Sequence, residues 1–99
     1  MKENIKELNN KFIIDDIKVY SFNFKNDKSN RLHYGVIAQE LQEIAPELVS
    51  SDRNNEHYLS VNYIELIPHL INKIHAQDKI ISDLSNKINK LYEILGVNK

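Results

Sequence analysis

Residues 62–95 read NYIELIPHLINKIHAQDKIISDLSNKINKLYEIL, and their apolar side chains recur every seven residues over more than four heptads. With Ile67 taken as position a, only Gln77 at a d position breaks the apolar pattern. The a positions hold Ile67, Ile74, Ile81, Ile88 and Leu95, and the d positions hold Tyr63, Leu70, Gln77, Leu84 and Leu91. Gly96 then supplies a C-terminal stop. The repeat predicts one long helix with an apolar seam along it.

The length of this helix favours self-association through the seam. About 34 residues at about 1.5 Å each make a rod of about 50 Å, whereas a head of about 60 residues has a radius of gyration of about 10 Å. Roughly half of the seam would face water unless other helices covered it. The main alternative is an amphipathic helix that packs on its own head, and the part from Ile64 to Ile71 could dock in that way.

The repeat does not by itself determine how many helices form the coiled coil. Isoleucine at a with leucine at d is the combination that favours two parallel strands. Against this, apolar residues also occupy e and g positions and widen the stripe, which suits three helices. These flanking residues are Ile64, Leu66, Ile71, Ile80, Tyr92 and Ile94. Periodicity alone therefore leaves dimer and trimer open.

The first 61 residues predict a small mixed head of the α/β (α+β) class. A short helix over 12–17, strands over 20–24 and 33–36, a head helix from Ile37 and a strand over 58–61 follow from the local apolar spacing. Pro46 marks the end of the head helix, and Gly35 suggests a bulge or a close backbone approach. Polar loops are expected at 25–31 and at 51–57. We therefore expect a head over residues 1–61 and a coiled-coil helix over 62–96, acting as one module over 1–99.

Composition excludes several classes of function. The chain has 41% hydrophobic and 27% charged residues, a net charge of -1 and no cysteine. Disulfides and thiolate metal sites are therefore excluded, and scattered charges give no footprint for nucleic acid or an anionic membrane. No apolar run approaches the roughly 20 residues that span a bilayer, and MKENIKELNN lacks a signal-peptide core. An intracellular protein without a cofactor is expected.

Histidines and serines do not form a recognisable catalytic or metal-binding pattern. None of His33, His57, His69 and His75 is part of a close helical His pair, and the outer heptad positions of His69 and His75 predict solvated side chains. Ser21, Ser50, Ser51 and Ser60 lack the sequence context of a nucleophile elbow. No metal site and no peptidase site for external substrates are expected.

Two segments carry a resemblance to a known family: HYGVIAQELQEIAPELV at 33–49 and YLSVNYIELIPHLINKI at 58–74. They resemble the endosialidase-type C-terminal intramolecular chaperone domain, also described as an auto-processing domain. It is found at the ends of phage tailspikes and fibres and in a myelin-associated transcription factor of animals. The resemblance runs from Lys2 to about Leu84. Its core motif falls on Gly35, Ala38, Gln39 and Glu40, and we favour a structural role for the last two.

The resemblance implies a homotrimer in which a helical bundle follows three heads. In that family the module holds three copies of a preceding viral fibre or tailspike chain together while they fold. That chain would be the folding client, and the host cytoplasm during viral assembly would be the location. The implied trimer also favours three helices over two for the seam.

The resemblance further implies self-cleavage at the N-terminal boundary by a serine peptidase mechanism. The family pattern there is a serine, an aspartate and a lysine, followed closely by Asn-Ile, and Lys2, Asn4 and Ile5 match its end. The serine would lie upstream of Met1. Because a serine is activated only by a neutral neighbouring base, Lys2 would need desolvation or a nearby cation. We expect no activity from this chain and self-cleavage in a longer precursor; the alternatives are a solvated Lys2 and a permanent oligomerisation domain without a proteolytic role.

Overall fold

A computed structural model describes residues 1–52 and 54–96, apart from the side chains of 52 and 55–57. The molecule is elongated, with principal extents of 68 × 43 × 22 Å. Its elements are a first 3₁₀ helix (Ile13–Asp16), β1 (Tyr20–Phe22), β2 (His33–Gly35), α1 (Ala38–Ile44), a second 3₁₀ helix (Pro46–Leu48), β3 (Val49–Asp52), β4 (Asn55–Val61) and α2 (Tyr63–Leu95). The predicted mixed α+β class is confirmed.

The strands form two separate antiparallel hairpins. In the first, Tyr20 lies opposite Gly35, and in the second Val49 lies opposite Val61. The predicted loop over 51–57 is wrong in its extent, because β3 continues to Asp52 and β4 begins at Asn55. Backbone pairing across a hairpin draws polar residues into strands when one face is open to water. The side chain of His57 lies outside the described residues.

The loop between β1 and β2 is held by polar side chains. The Asn23 amide donates hydrogen bonds to the carbonyls of Asn30 and Arg31, both at 2.9 Å. The Asp27 carboxylate accepts hydrogen bonds from the hydroxyl and backbone N–H of Ser29, and these bonds lower the pKa of Asp27. Asn30 adopts the left-handed conformation with φ of 52°, which asparagine tolerates better than most residues. The conformation of this loop is therefore determined by side chains within the loop and at its start.

The core of the head lies under α1. Leu41, Ala45 and Leu48 are buried, and partly buried apolar residues from several segments of the head pack around them. These surrounding residues are Ile13, Ile17, Val36, Ile44, Val49, Val61 and, from α2, Leu66. Pro46 starts the second 3₁₀ helix, as the predicted end of the head helix requires. The turn between α1 and the second 3₁₀ helix brings Leu41 and Leu48 into the same core.

The long helix α2 is confirmed from Tyr63 to Leu95. Gly96 follows with φ of 70°, and its N–H donates back to carbonyls of the last turn, so it is the predicted C-terminal stop. The structure describes every residue of α2 in backbone terms, and none of them is buried. The helix therefore projects from the head with its apolar side chains in water.

Candidate functional site

The seam of α2 is exposed along its whole length in the single chain. Its apolar a and d side chains range from 47% exposed at Leu70 to 64% exposed at Leu95. Ile64, Ile67 and Ile71 are also exposed, so docking on the head does not cover the first turns of the seam. Among the described residues, Leu66 is the one member of this region that packs against the head core. Gln77, the polar d residue, is exposed as well.

The head contacts a flank of α2 beside the seam. The half-buried residues on this flank occupy c, f and g positions: Leu66, His69, Asn72, Lys73 and Ala76. The prediction that His69 is solvated is therefore wrong in part, because it is half-buried beside the N-terminal segment, whereas His75 is exposed. This placement leaves the a and d side chains available to other molecules.

Lys73 ties the flank to the start of the head. Its Nζ lies 2.9 Å from Oδ1 of Asp15 and 4.4 Å from the centroid of the Phe12 ring, which is a cation–π contact. One residue earlier, the Asn72 amide donates a 3.0 Å hydrogen bond to the carbonyl of Asn9. Sequence reasoning missed this contact. Its one signal is a lysine at a g position between the apolar g residues Leu66 and Ile80.

The N-terminal segment that carries Lys2 is open to solvent. Residues 1–11 are all exposed, and Asn4 has a left-handed φ of 54°. Within the described residues Lys2 makes no hydrogen bond and no ion pair. No described residue of the chain removes its amine from water. A catalytic role for Lys2 would need groups supplied by a preceding segment or by other copies of the chain.

Gly35 of the core motif lies against the first residue of α2. The Val36 N–H donates a 3.2 Å hydrogen bond to the hydroxyl oxygen of Tyr63. A Cβ on Gly35 would lie only 2.7 Å from that oxygen, so a larger residue would displace the ring. The predicted close approach exists, but a side chain makes it, and the regular β1–β2 pairing here shows no bulge.

Glu40 joins α1 to β1. The Tyr20 hydroxyl donates to the two carboxylate oxygens of Glu40, at 2.9 and 3.1 Å, and this bond to an anion raises the pKa of Tyr20. Ala38 opens α1 and is half-buried, and Gln39 is exposed. The motif therefore lies at the junction of β2, α1 and α2, where its described contacts connect elements of the head.

An apolar groove beside this junction was not anticipated from the sequence. It has a volume of about 390 Å³ and lies between the first 3₁₀ helix, β2 and the start of α2. Its lining includes Ile14, Ile17, Val36, Tyr63, Leu66 and Leu70. Since Leu70 is also a d residue of the seam, the groove opens directly onto the seam. The apolar g residue Leu66 was the only signal of it in the sequence.

The described ranges 1–52 and 54–96 contain neither a metal-binding cluster nor a helix that could span a membrane. No group of three or more His, Asp or Glu side chains there could hold a metal ion. In the same ranges, no helix has the length and apolar character needed to cross a bilayer.

Comparison with known protein families shows which family the N-terminal half of the chain matches. The family described as chaperone of endosialidase matches residues 1–50, which is half of the chain. The matched part includes Lys2, β1, β2, the core motif and α1. No curated protein matches the chain.

Proposed function

Since the chain belongs to the chaperone-of-endosialidase family, we propose that it trimerises and so assists the folding of a preceding viral fibre or tailspike chain. In this proposal three copies of α2 associate through their seams. The preceding chains are thereby held in one complex. Tethering by short linkers gives effective concentrations of about millimolar, which favours pairing of segments that would otherwise meet slowly.

The exposed seam is the observation that carries the proposal. Half-exposed Ile and Leu side chains recur from Ile67 to Leu95, while the head occupies only the neighbouring flank. Burying the exposed half of such a side chain contributes on the order of 1 kcal/mol. Repeated along several heptads in each of three helices, this term is large compared with the stability of a small domain. A second copy of the same seam is its natural complement, because every copy presents the same apolar repeat.

Self-cleavage at the N-terminal boundary is the second part of the proposal. A serine upstream of Lys2 in a precursor would be the nucleophile and Lys2 its base. The exposure of Lys2 in the single chain supports a requirement for assembly, because a lysine acts as a base only where its charged form is destabilised. Neighbouring copies in a trimer could supply that environment. The released module would then leave the folded fibre behind.

Light scattering on the purified chain tests the assembly. We expect a mass of about three times 11.6 kDa that is independent of concentration over the micromolar range. A monomer of 11.6 kDa would refute the proposed trimer and the proposed folding role together.

Self-cleavage is tested in a chain extended at its N-terminus by a short fibre segment that ends in the family's serine and aspartate. We expect one cut, just before that serine. Lys2→Ala should abolish the cut, whereas Lys6→Ala, in the same exposed segment, should not. A trimer that never cuts itself would instead be a permanent oligomerisation domain.

A further inference from the structure

The groove beside the core motif lacks one wall. The first 3₁₀ helix contributes Ile14, the residue after this helix is Ile17, Val36 follows β2, and α2 contributes Leu66 and Leu70. On the α2 side of the groove, Leu66 is half-buried and Leu70 is 47% exposed, so apolar surface there is still in contact with water. The groove is continuous with the unpaired seam at Leu70. A molecule that covers the seam there would therefore also fill the groove.

The heptad register identifies that occupant. Leu66 occupies a g position, and g residues of one parallel helix face e residues of the next heptad on the neighbouring helix. The residue that meets Leu66 in this way is Ile71 of the neighbouring copy. Ile71 is 49% exposed in the single chain, so it has unburied apolar surface to place there.

The g-to-e pairs that follow along the helix support the same parallel arrangement. Lys73 would face Asp78 of the neighbouring copy, Ile80 would face Ser85, and Lys87 would face Tyr92. None of these pairs joins like charges. Asp78 has no ion pair within the described chain, so it is available to Lys73, which already contacts Asp15. The register is therefore compatible in charge.

We propose that Ile71 of a neighbouring copy fills the head groove, so that each head is completed by the helix of another chain. This inference rests on the proposed self-association of α2. It adds that the core motif and the seam form one continuous interface, because Gly35 and Val36 hold Tyr63 at the edge of the groove. Head and bundle then assemble in a fixed register.

Cysteine cross-linking tests the proposal, and the chain has no cysteine of its own to interfere. The double variant Leu66→Cys/Ile71→Cys cannot form a bridge within one helix, because its two side chains are too far apart. In the proposed arrangement the thiol introduced at position 66 of each copy lies beside the thiol introduced at position 71 of the next copy. Oxidised glutathione should then convert the double variant into a closed covalent trimer, and each single variant should remain monomeric in a non-reducing gel.

The alternative outcomes separate this inference from the proposed function. Covalent dimers from a single variant would show g-to-g or e-to-e contacts and would overturn the inference. A trimer by light scattering that does not cross-link would overturn it too, while the proposed trimer stands. Closed covalent dimers from the double variant would support the groove contact and refute the trimer. A monomeric parent chain would refute both.

A second pair of variants covers the case in which the cysteine chain does not fold. Ile71→Ala and Ile94→Ala remove the same atoms from two exposed positions beside the seam, but Ile94 lies beyond the head. Filling of the groove predicts that Ile71→Ala weakens assembly by more than about tenfold relative to Ile94→Ala. Equal dissociation constants for the two variants, measured by sedimentation, would overturn the inference.

Discussion

The head and α2 use their apolar residues in opposite ways. The head buries Leu41, Ala45 and Leu48 within one chain, and strands, 3₁₀ helices and one turn of α2 close over them. The helix is much longer than any head element, yet none of its residues, all of which the structure describes, is buried. The head can therefore gain stability from folding alone, whereas most of α2 can gain it only from association.

The head and α2 therefore have different roles: the head folds on its own core, and we propose that α2 associates with other copies. In proteins most of the stability of a helix comes from packing of its amphipathic face, so the exposed helix α2 depends on such packing. The head does not supply that packing, because it contacts the flank that carries Leu66 and Lys73. Substitutions in the seam should then affect assembly first, and substitutions in the head core should affect the head first.

The largest effect is expected for Ile81→Asp. Ile81 is an a residue, 61% exposed in the single chain and beyond the contacts with the head. In a trimer the substitution would bring three carboxylates to one axis, and unpaired buried charge costs several kcal/mol. We expect dissociation to monomers and loss of most of the α2 helical signal, measured by light scattering and circular dichroism.

Ser82→Asp is the matched control for this prediction. Ser82 lies one residue later at an exposed b position, so the same charge should leave mass and melting temperature unchanged. If both variants stay trimeric, Ile81 does not face other copies. The conclusion that α2 gains its stability from association would then be wrong.

A smaller effect, confined to the head, is expected for Leu41→Ala. Leu41 is 1% exposed at the centre of the head core, and leucine-to-alanine changes in cores cost about 2–5 kcal/mol. Hydrogen exchange should show loss of protection in β3 and β4, while light scattering still reports the trimer. Gln42→Ala, on the exposed side of the same helix, should change neither. Loss of the trimer in Leu41→Ala alone would show that the head is needed for association.

Sequence reasoning was most successful where the signal is local. The heptad repeat and Gly96 predicted α2 to within one residue at its start, and Pro46 predicted the end of α1. The mixed head followed from short apolar spacings. What could not be predicted depends on residues far apart in the chain. The contact of Lys73 with Asp15, and of Tyr63 with Gly35, requires the fold that places α2 beside the head.

For the same reason the candidate site was only partly predicted. The seam residues could be read from periodicity, but which flank of α2 meets the head could not, since both flanks carry apolar residues such as Leu66 and Ile71. Lys2 was selected by family resemblance. It is exposed, and among the described residues it has no hydrogen-bond or ion-pair partner that a sequence pattern could have indicated.

A change of opposite sign is expected for Gln77→Leu. Gln77 is the polar d residue in an otherwise apolar seam, and such residues lower stability while restricting register and strand number. The substitution should raise the melting temperature by the equivalent of about 1 kcal/mol per chain. Gln42→Leu, at an exposed site on the head, should give no such gain. A lower melting temperature for Gln77→Leu would mean that the glutamine makes hydrogen bonds between chains.

The smallest effect is expected for Lys73→Ala, which removes one of the contacts between the head and α2 and changes neither the head core nor the a and d residues of the seam. The pair with Asp15 is partly exposed, at 26% and 49% for the two side chains, so it contributes at most about 1 kcal/mol, and the Phe12 contact adds a similar amount. Lys79→Ala, at an exposed outer position of the same helix, is the control. We expect Lys73→Ala alone to increase hydrogen exchange in the first 3₁₀ helix while the trimer mass is unchanged. Identical exchange in both variants would show that Leu66 and its apolar neighbours hold the head on α2 without Lys73.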